Sequence, residues 1–132
     1  MEASRLAAIP LFAGLDEADL ATIAATTCEC GAPAGQTLAA EGDFGFAVYA
    51  IETGTADVVM EGDVVRTLGP GDVFGEVAVL AAGRRTASVV ATSPVEMIAL
   101  LNRDVWALER RAPGVAARLR ELLRERLDTA AN

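Results

Sequence analysis

The sequence contains neither histidine nor lysine among its 132 residues. The missing histidines exclude the usual imidazole general base, the Ser-His-Asp triad and histidine-containing zinc sites. The missing lysines exclude Schiff-base chemistry, so every basic side chain is an arginine. These absences remove several of the common kinds of catalytic site.

Long apolar runs are also missing. No run reaches the roughly 18 to 20 residues that a helix needs to span a bilayer. The N-terminal stretch "MEASRLAAIP" lacks the basic region and the following apolar core of a signal peptide. We expect a cytoplasmic protein that does not insert into membranes.

Cysteine is scarce, and the two cysteines, Cys28 and Cys30, are separated by one residue. On a strand both side chains would point to the same face. A disulfide across one residue has poor geometry, and no histidine is present to complete a zinc site. We expect two small, buried thiols and no metal site.

Positive charge is scarce in the first part of the chain, whose formal net charge is −8. Residues 1–83 hold 13 acids and 2 arginines, whereas residues 84–132 hold 6 acids and 9 arginines. Such an acidic body disfavours nucleic acid and anionic membranes as partners. A small anion would have to be held by a local basic cluster.

The length predicts one domain, residues 1–132, whose core is mostly aliphatic because aromatic residues make up only 5% of the chain. Residues 1–27 contain a helical pattern, residues 28–101 contain short apolar runs between glycine and Pro-Gly turns, and residues 102–132 are helical again. Short strands at regular spacing are typical of a sandwich or barrel. We predict a mainly β fold, a β-roll or jelly roll, with a short N-terminal helix and two C-terminal helices.

Capping signals and apolar spacing place the helices. Asp16 is the expected N-cap of the first helix, and Asn102 that of the first C-terminal helix, on which Trp106 is expected to pack into the core. Pro113 interrupts the pattern. The amphipathic helix that follows carries an apolar stripe of Val115, Leu119, Leu122, Leu123 and Leu127.

The segment "FGEVAVLAAGRRTAS", residues 74–88, surrounds a short apolar run with one acid and two arginines. If a helical turn begins near Gly75, its free N–H groups and positive dipole would suit a phosphate. Arg85 would supply planar donors to phosphate oxygens, and Glu76 would accept from a sugar hydroxyl. The alternative is that Glu76 and Arg85 form a surface ion pair worth about 1 kcal/mol or less.

The segment resembles the phosphate-binding cassette of cyclic nucleotide-binding domains, of the catabolite activator and protein kinase A regulatory-subunit type. The family pattern is roughly F-G-E-(L/V)-A-L-(L/I/M), about four residues, then R-(A/T/S)-A-(S/T). Residues 74–80, "FGEVAVL", and residues 85–88, "RTAS", follow this order. The resemblance extends to the N-terminal helix, the first strands, the lead "LGPGDVFGE" and two C-terminal helices that match the family's hinge and lid.

The resemblance implies a regulatory sensor that is not an enzyme and has no cofactor. It would bind a cyclic nucleotide, with cAMP preferred over cGMP, and its last helix would close over the base. Arg85 would pair with the cyclic phosphate, Glu76 would accept from the ribose 2′-hydroxyl, and Val58 and Val65 would pack the purine. Backbone N–H groups near the cassette would complete the contacts. The implied nucleotide-binding residues are Gly75, Glu76, Val77, Ala78, Arg85, Thr86, Ala87, Val58 and Val65.

Two positions leave alternatives open. Arg84 stands where many members of the family have proline, and it either adds positive charge to the site or lies in solvent, which we favour. Thr86 stands where cGMP-preferring members often carry threonine, although threonine also occurs there in cAMP binders.

Two other functions compete with the sensor. A ligand-independent interaction module would use the leucine stripe to dock on a partner helix or on a second copy, which would make a dimer. A fragment of a catabolite-activator-type transcription regulator would need a helix-turn-helix beyond residue 132. We expect an effector domain or partner protein to be contacted through the C-terminal helix, and no nucleic acid to be bound by this domain alone. A cupin-like enzyme is excluded because metal cupins need histidine ligands.

Overall fold

The structure is a computed structural model that describes residues 3–42, 47–75 and 87–131. Its helical elements are α1 (Ala3–Ala7), a 3₁₀ turn (Pro10–Phe12), α2 (Glu17–Ala24), α3 (Asn102–Arg111) and α4 (Pro113–Ala131). Its strands are β1 (Cys28–Ala32), β2 (Thr37–Ala39), β3 (Ala47–Thr53), β4 (Ala56–Met60), β5 (Asp63–Leu68), β6 (Val73–Phe74), β7 (Ser88–Ala91) and β8 (Val95–Leu101). In this part of the chain no helix is both long and apolar enough to cross a membrane.

The strands form two antiparallel sheets. The first sheet has the order β1-β8-β3-β6, and the second has the order β2-β7-β4-β5. Most neighbours are distant in sequence, because β8 lies between β1 and β3 and β7 lies between β2 and β4, whereas β4 and β5 form a hairpin. This arrangement confirms the predicted mainly β roll with flanking helices.

The two central strands of the first sheet, β3 and β8, are buried on both faces, which explains why they are almost continuously apolar. Alternate residues point to opposite faces of a strand. One face packs on the roll core, which contains Ile51, Leu68, Phe74, Val89, Ala91, Val95 and Met97. The other face packs on the helical core, which contains Leu6, Phe12, Leu20, Ile23, Val105, Leu108, Leu119 and Leu123 together with Val48, Ala50, Ile98 and Leu100 of the sheet.

Several local predictions are confirmed. The carboxylate of Asp16 accepts a hydrogen bond from the Asp19 backbone N–H at 2.8 Å, as an N-cap should. Helix α4 begins at Pro113, directly after the break that this residue predicts. Leu119 and Leu123 of the apolar stripe are completely buried, which fixes α4 to the helical core.

Other local predictions are wrong. Helix α3 begins at Asn102 itself, and its N-cap is Leu101 in an extended conformation. Trp106 is 51% exposed because Val105 and Leu108 form the buried face of α3. Cys28 is exposed because it lies on β1, an edge strand of the first sheet. Helix α1 was not expected, since its five residues carry too short a pattern to predict a helix.

Cys30 differs from Cys28, although the two lie on the same strand. Cys30 packs against the roll core and is only partly exposed. Burial raises the pKa of the Cys30 thiol, and the nearby Cys28 and Glu96 raise it further. The expectation of a small, packed thiol therefore fits Cys30 alone.

Candidate functional site

The predicted cassette joins β6 of the first sheet to β7 of the second sheet. Four of the predicted binding residues belong to the part of the chain that the structure describes: Gly75, Ala87, Val58 and Val65. The other five lie outside the described residues: Glu76, Val77, Ala78, Arg85 and Thr86. The structure therefore describes the segments at the two ends of the cassette, which we call its frame.

The front of the cassette is anchored on the first sheet. Strand β6 pairs with β3, with Phe74 opposite Tyr49 and Val73 opposite Ala50. The rings of Phe74 and Tyr49 are stacked, with centroids 5.1 Å apart and planes at 24°. Gly75 follows with a φ of +92°, a conformation that favours glycine. A buried, stacked aromatic residue therefore directly precedes a glycine in the left-handed region at the front of the cassette.

The turn before β6 fixes the direction in which the cassette is approached. Within "GPGD", the Gly69 N–H donates to the Asp72 side chain at 2.8 Å. The Gly71 N–H donates to the Ile51 carbonyl at 2.8 Å, and the Ile51 N–H donates to the Asp72 carbonyl at 2.9 Å. The turn and β3 thus each donate one backbone hydrogen bond to the other, and these bonds hold β6 at the edge of the first sheet.

The rear of the cassette is anchored on the second sheet. Strand β7 follows Ala87 directly and lies between β2 and β4. Val89 and Ala91 are 5% and 2% exposed, and both belong to the roll core. Because Phe74 belongs to the same core, one apolar cluster holds the two ends of the cassette.

The two valines predicted to pack a purine lie on neighbouring strands, but their environments differ. Val58 on β4 is opposite Val89 on β7 and packs against the roll core. Val65 on β5 is 55% exposed and lies where the register between β4 and β5 shifts. Val58 is therefore beside the strand that leaves the cassette, whereas Val65 is on the outer edge strand of the same sheet.

The N-terminal and C-terminal helical segments meet beside the lead to the cassette. A Cβ on Gly71 would lie 3.1 Å from Cδ of Pro10, so the "GPGD" turn is in close contact with the 3₁₀ turn. A cavity of about 300 Å³ lies next to this contact, and Leu122 of α4 and Val73 of β6 are among its lining residues. Helix α4 is thus a neighbour of the segment that enters the cassette.

Arg5 connects α1 to the first sheet. Its Nη2 donates to Oε1 of Glu52 on β3 at 2.5 Å, and its Nε donates to Oε2 at 3.1 Å. Its Nη1 forms an ion pair with Glu29 on β1. The hydrogen bonds that Arg5 donates to Glu52, and then to Glu29, raise the pKa of the Arg5 guanidinium above its usual value. The N-terminal segment is therefore held to two strands of the sheet that carries β6.

A family model described as "Cyclic nucleotide-binding domain" matches residues 29–111. The chain belongs to this family. The match includes every strand from β2 to β8 and the whole cassette, so it covers the frame described above.

Relatives of this cyclic nucleotide-binding domain include longer proteins. It is 41% identical over 103 residues to the "Cyclic AMP receptor protein" of Thermus thermophilus. The matched region covers 74% of this chain and 48% of that protein. It is also 41% identical over 98 residues to a cAMP-dependent protein kinase regulatory subunit of Aspergillus niger. This second matched region covers 73% of this chain and 24% of that protein. This chain therefore spans about half of the first relative and a quarter of the second.

A solved structure supports the same fold. The catabolite activator protein of Thermus thermophilus superimposes with a TM-score of 0.76 at 35% identity, over 92% of this chain and 60% of that chain. The similarity extends well beyond the cassette, to most of the helices and both sheets.

Sequence reasoning missed several residues that build the frame of this cyclic nucleotide-binding domain. The string "GPGD" predicted a turn, but nothing in it indicated the contact between Gly71 and Pro10. The acceptors of Arg5 are 24 and 47 positions away along the chain, too far for any local pattern.

Proposed function

We propose that this chain is a cyclic nucleotide sensor without catalytic activity, which binds cAMP more strongly than cGMP at the cassette, residues 74–88. The observation that carries the proposal is the ordered match of residues 74–80 and 85–88 to the family's phosphate-binding pattern. Arg85 pairs with the cyclic phosphate, and Glu76 accepts from the ribose 2′-hydroxyl. A local arginine is needed because the chain as a whole carries a charge of −8 and repels anions.

The anchoring of the cassette supports this proposal. Phe74 and Val89 are 6% and 5% exposed, on opposite sheets, and both belong to the roll core. A frame that is fixed at both ends limits the conformational entropy that the ligand must remove on binding. Val58 lies beside β7 at a position where it can pack a bound base, whereas Val65 is exposed and contacts the base only if the base reaches the edge strand.

The lid function is proposed for α4. Leu122 of α4 and Val73 of β6 border one cavity, so a shift at the cassette changes the surface beside α4. The ligand acts by favouring one of two positions of α4, since a ligand shifts an equilibrium by its difference in affinity for the two states. The helix then transmits the signal to an effector domain or a partner protein. We also propose that residues 1–132 form one domain and that the protein works in the cytoplasm.

Calorimetric titration of the chain with cAMP, cGMP and 5′-AMP tests the proposal. We expect micromolar or tighter binding of cAMP, weaker binding of cGMP and much weaker binding of 5′-AMP, whose phosphate is not cyclic. Trp106 is 51% exposed on α3, next to α4, so its fluorescence provides a second signal. Only millimolar binding of both cyclic nucleotides, or none, would refute the sensor function.

A further inference from the structure

Ser88 is the first residue of β7 and the last residue of the cassette, residues 74–88. Its hydroxyl oxygen accepts a hydrogen bond from the backbone N–H of Glu41 at 2.9 Å. The two residues are 47 positions apart in the chain. A side chain at the exit of the cassette thus holds the backbone of a different segment.

This hydrogen bond forms where backbone pairing stops. The register between β2 and β7 includes Ala39 opposite Val89, and β2 ends at Ala39. The chain then turns at Gly42, whose φ is +86°. On its other side Ser88 is opposite Val59 of β4. The Ser88 hydroxyl therefore links the two segments beyond Ala39, the last residue of β2 that pairs with β7. This bond holds residues 40–42 beside the end of the cassette.

We infer that Ser88 is a positioning residue for the cyclic nucleotide site, an inference that rests on the proposed function. Arg85 is only three residues before Ser88 in the sequence. The contacts of Ser88 with Glu41 and with Val59 limit the backbone conformations of the residues just before Ser88. The loss of conformational entropy when the phosphate binds is therefore smaller. The serine touches the neighbouring backbone and acts on the ligand only through the residues that precede it.

Ser93 provides a matched control at the other end of β7. Its hydroxyl oxygen accepts a hydrogen bond from the Thr55 backbone N–H at 2.9 Å, the same length and chemistry as the bond of Ser88. Ser93 follows the end of β7 at Ala91, on the side away from the cassette. Loss of the Ser93 hydroxyl removes a hydrogen bond like that of Ser88, and it also removes the contacts with the Thr55 hydroxyl at 3.2 Å and the Pro94 carbonyl at 3.4 Å. Ser93→Ala therefore disturbs the structure at least as much, but only Ser88 belongs to the cassette.

The test compares wild type, Ser88→Ala, Ser88→Thr and Ser93→Ala by calorimetric titration with cAMP and by thermal unfolding. We expect Ser88→Ala to weaken cAMP binding about five- to tenfold, as the loss of one hydrogen bond that orders the site. Ser88→Thr, which keeps the hydroxyl, should bind within about twofold of wild type because threonine is favoured in strands. Ser93→Ala should lower the Tm at least as much as Ser88→Ala and leave the Kd unchanged. Unchanged affinity in Ser88→Ala, or equal weakening in both alanine variants, would overturn the inference.

Amide hydrogen exchange in the absence of nucleotide tests whether the hydrogen bond between Glu41 and Ser88 forms in solution. The Glu41 amide should exchange faster in Ser88→Ala than in wild type, and Ser93→Ala should not change it. If wild type binds neither cyclic nucleotide, the proposed function fails and the role of Ser88 fails with it. If wild type binds cAMP and Ser88→Ala binds it equally well, the role of Ser88 fails alone.

Discussion

Arg84 and Arg85 are adjacent and carry the same charge, yet the sequence pattern assigns them different roles. Arg85 occupies the arginine position of the cassette pattern, whereas Arg84 occupies a position where the pattern often has proline. Their proximity makes them suitable for comparison, since replacing either one changes the net charge by the same amount. Any difference between the two variants then reports contact with the phosphate and not the overall field.

Replacing Arg85 with alanine should weaken cAMP binding by about 2–4 kcal/mol, because a sheltered phosphate loses its charged partner. Arg84→Ala should weaken binding by about 0.5 kcal/mol or less, as expected for a side chain in solvent. Calorimetric titration of both variants provides the measurement. Equal losses in the two variants would show that the arginines act only through the electrostatic field.

At the scale of elements, two glycine turns of the roll differ in how closely they are packed. Gly54, between β3 and β4, has a φ of +94°, and a Cβ at this position would lie 2.2 Å from the Pro94 carbonyl oxygen. Gly62, between β4 and β5, has a φ of +86° with nothing within 4 Å of such a Cβ. The first turn is pressed against the loop that precedes β8, and the second is open.

Gly62→Ala should cost about 1–2 kcal/mol of unfolding free energy, which is the strain of a side chain in the left-handed region. Gly54→Ala should cost at least a further 1–3 kcal/mol, roughly, because the added methyl group also collides with backbone. Urea unfolding of both variants measures the difference. Equal costs would mean that the loop around Pro94 moves aside without penalty.

At the scale of the whole molecule, the first sheet joins the two cores. The helical core packs on one face of this sheet and the roll core on the other. Trp106, the one tryptophan, lies on α3 beside the helical core, and Tyr49, the one tyrosine, packs against the roll core. The chain therefore carries one natural probe on each side of the shared sheet.

Leu123→Ala should destabilise the whole molecule by about 2–5 kcal/mol, since Leu123 is completely buried in the helical core. Arg124→Ala, at the next and exposed position of α4, should change the stability by about 0.5 kcal/mol or less. Trp106 fluorescence and the near-UV circular dichroism of Tyr49 should give one common transition in each variant. Separate transitions in Leu123→Ala would show that the helices unfold independently of the roll.

Much of this fold could be predicted because its signals are local. Asp16 caps α2, Pro113 marks the break between α3 and α4, and turns that contain glycine separate most of the strands. The burial of Leu119 and Leu123 also followed from their spacing on α4. The wrong predictions of burial concern Trp106 and Cys28, whose burial depends on which face of α3 meets the sheet and on which strand forms its edge.

The sequence by itself determined the family, through the order of residues from Phe74 to Ser88, since a nucleotide cassette is a continuous run of chain. Only the tertiary structure decided how that run is held. The contacts of Arg5 with Glu52, of Gly71 with Pro10 and of Ser88 with Glu41 each join residues more than 40 positions apart. No local propensity encodes such a contact, because it forms only when burial of the two cores has brought the sheets and helices together.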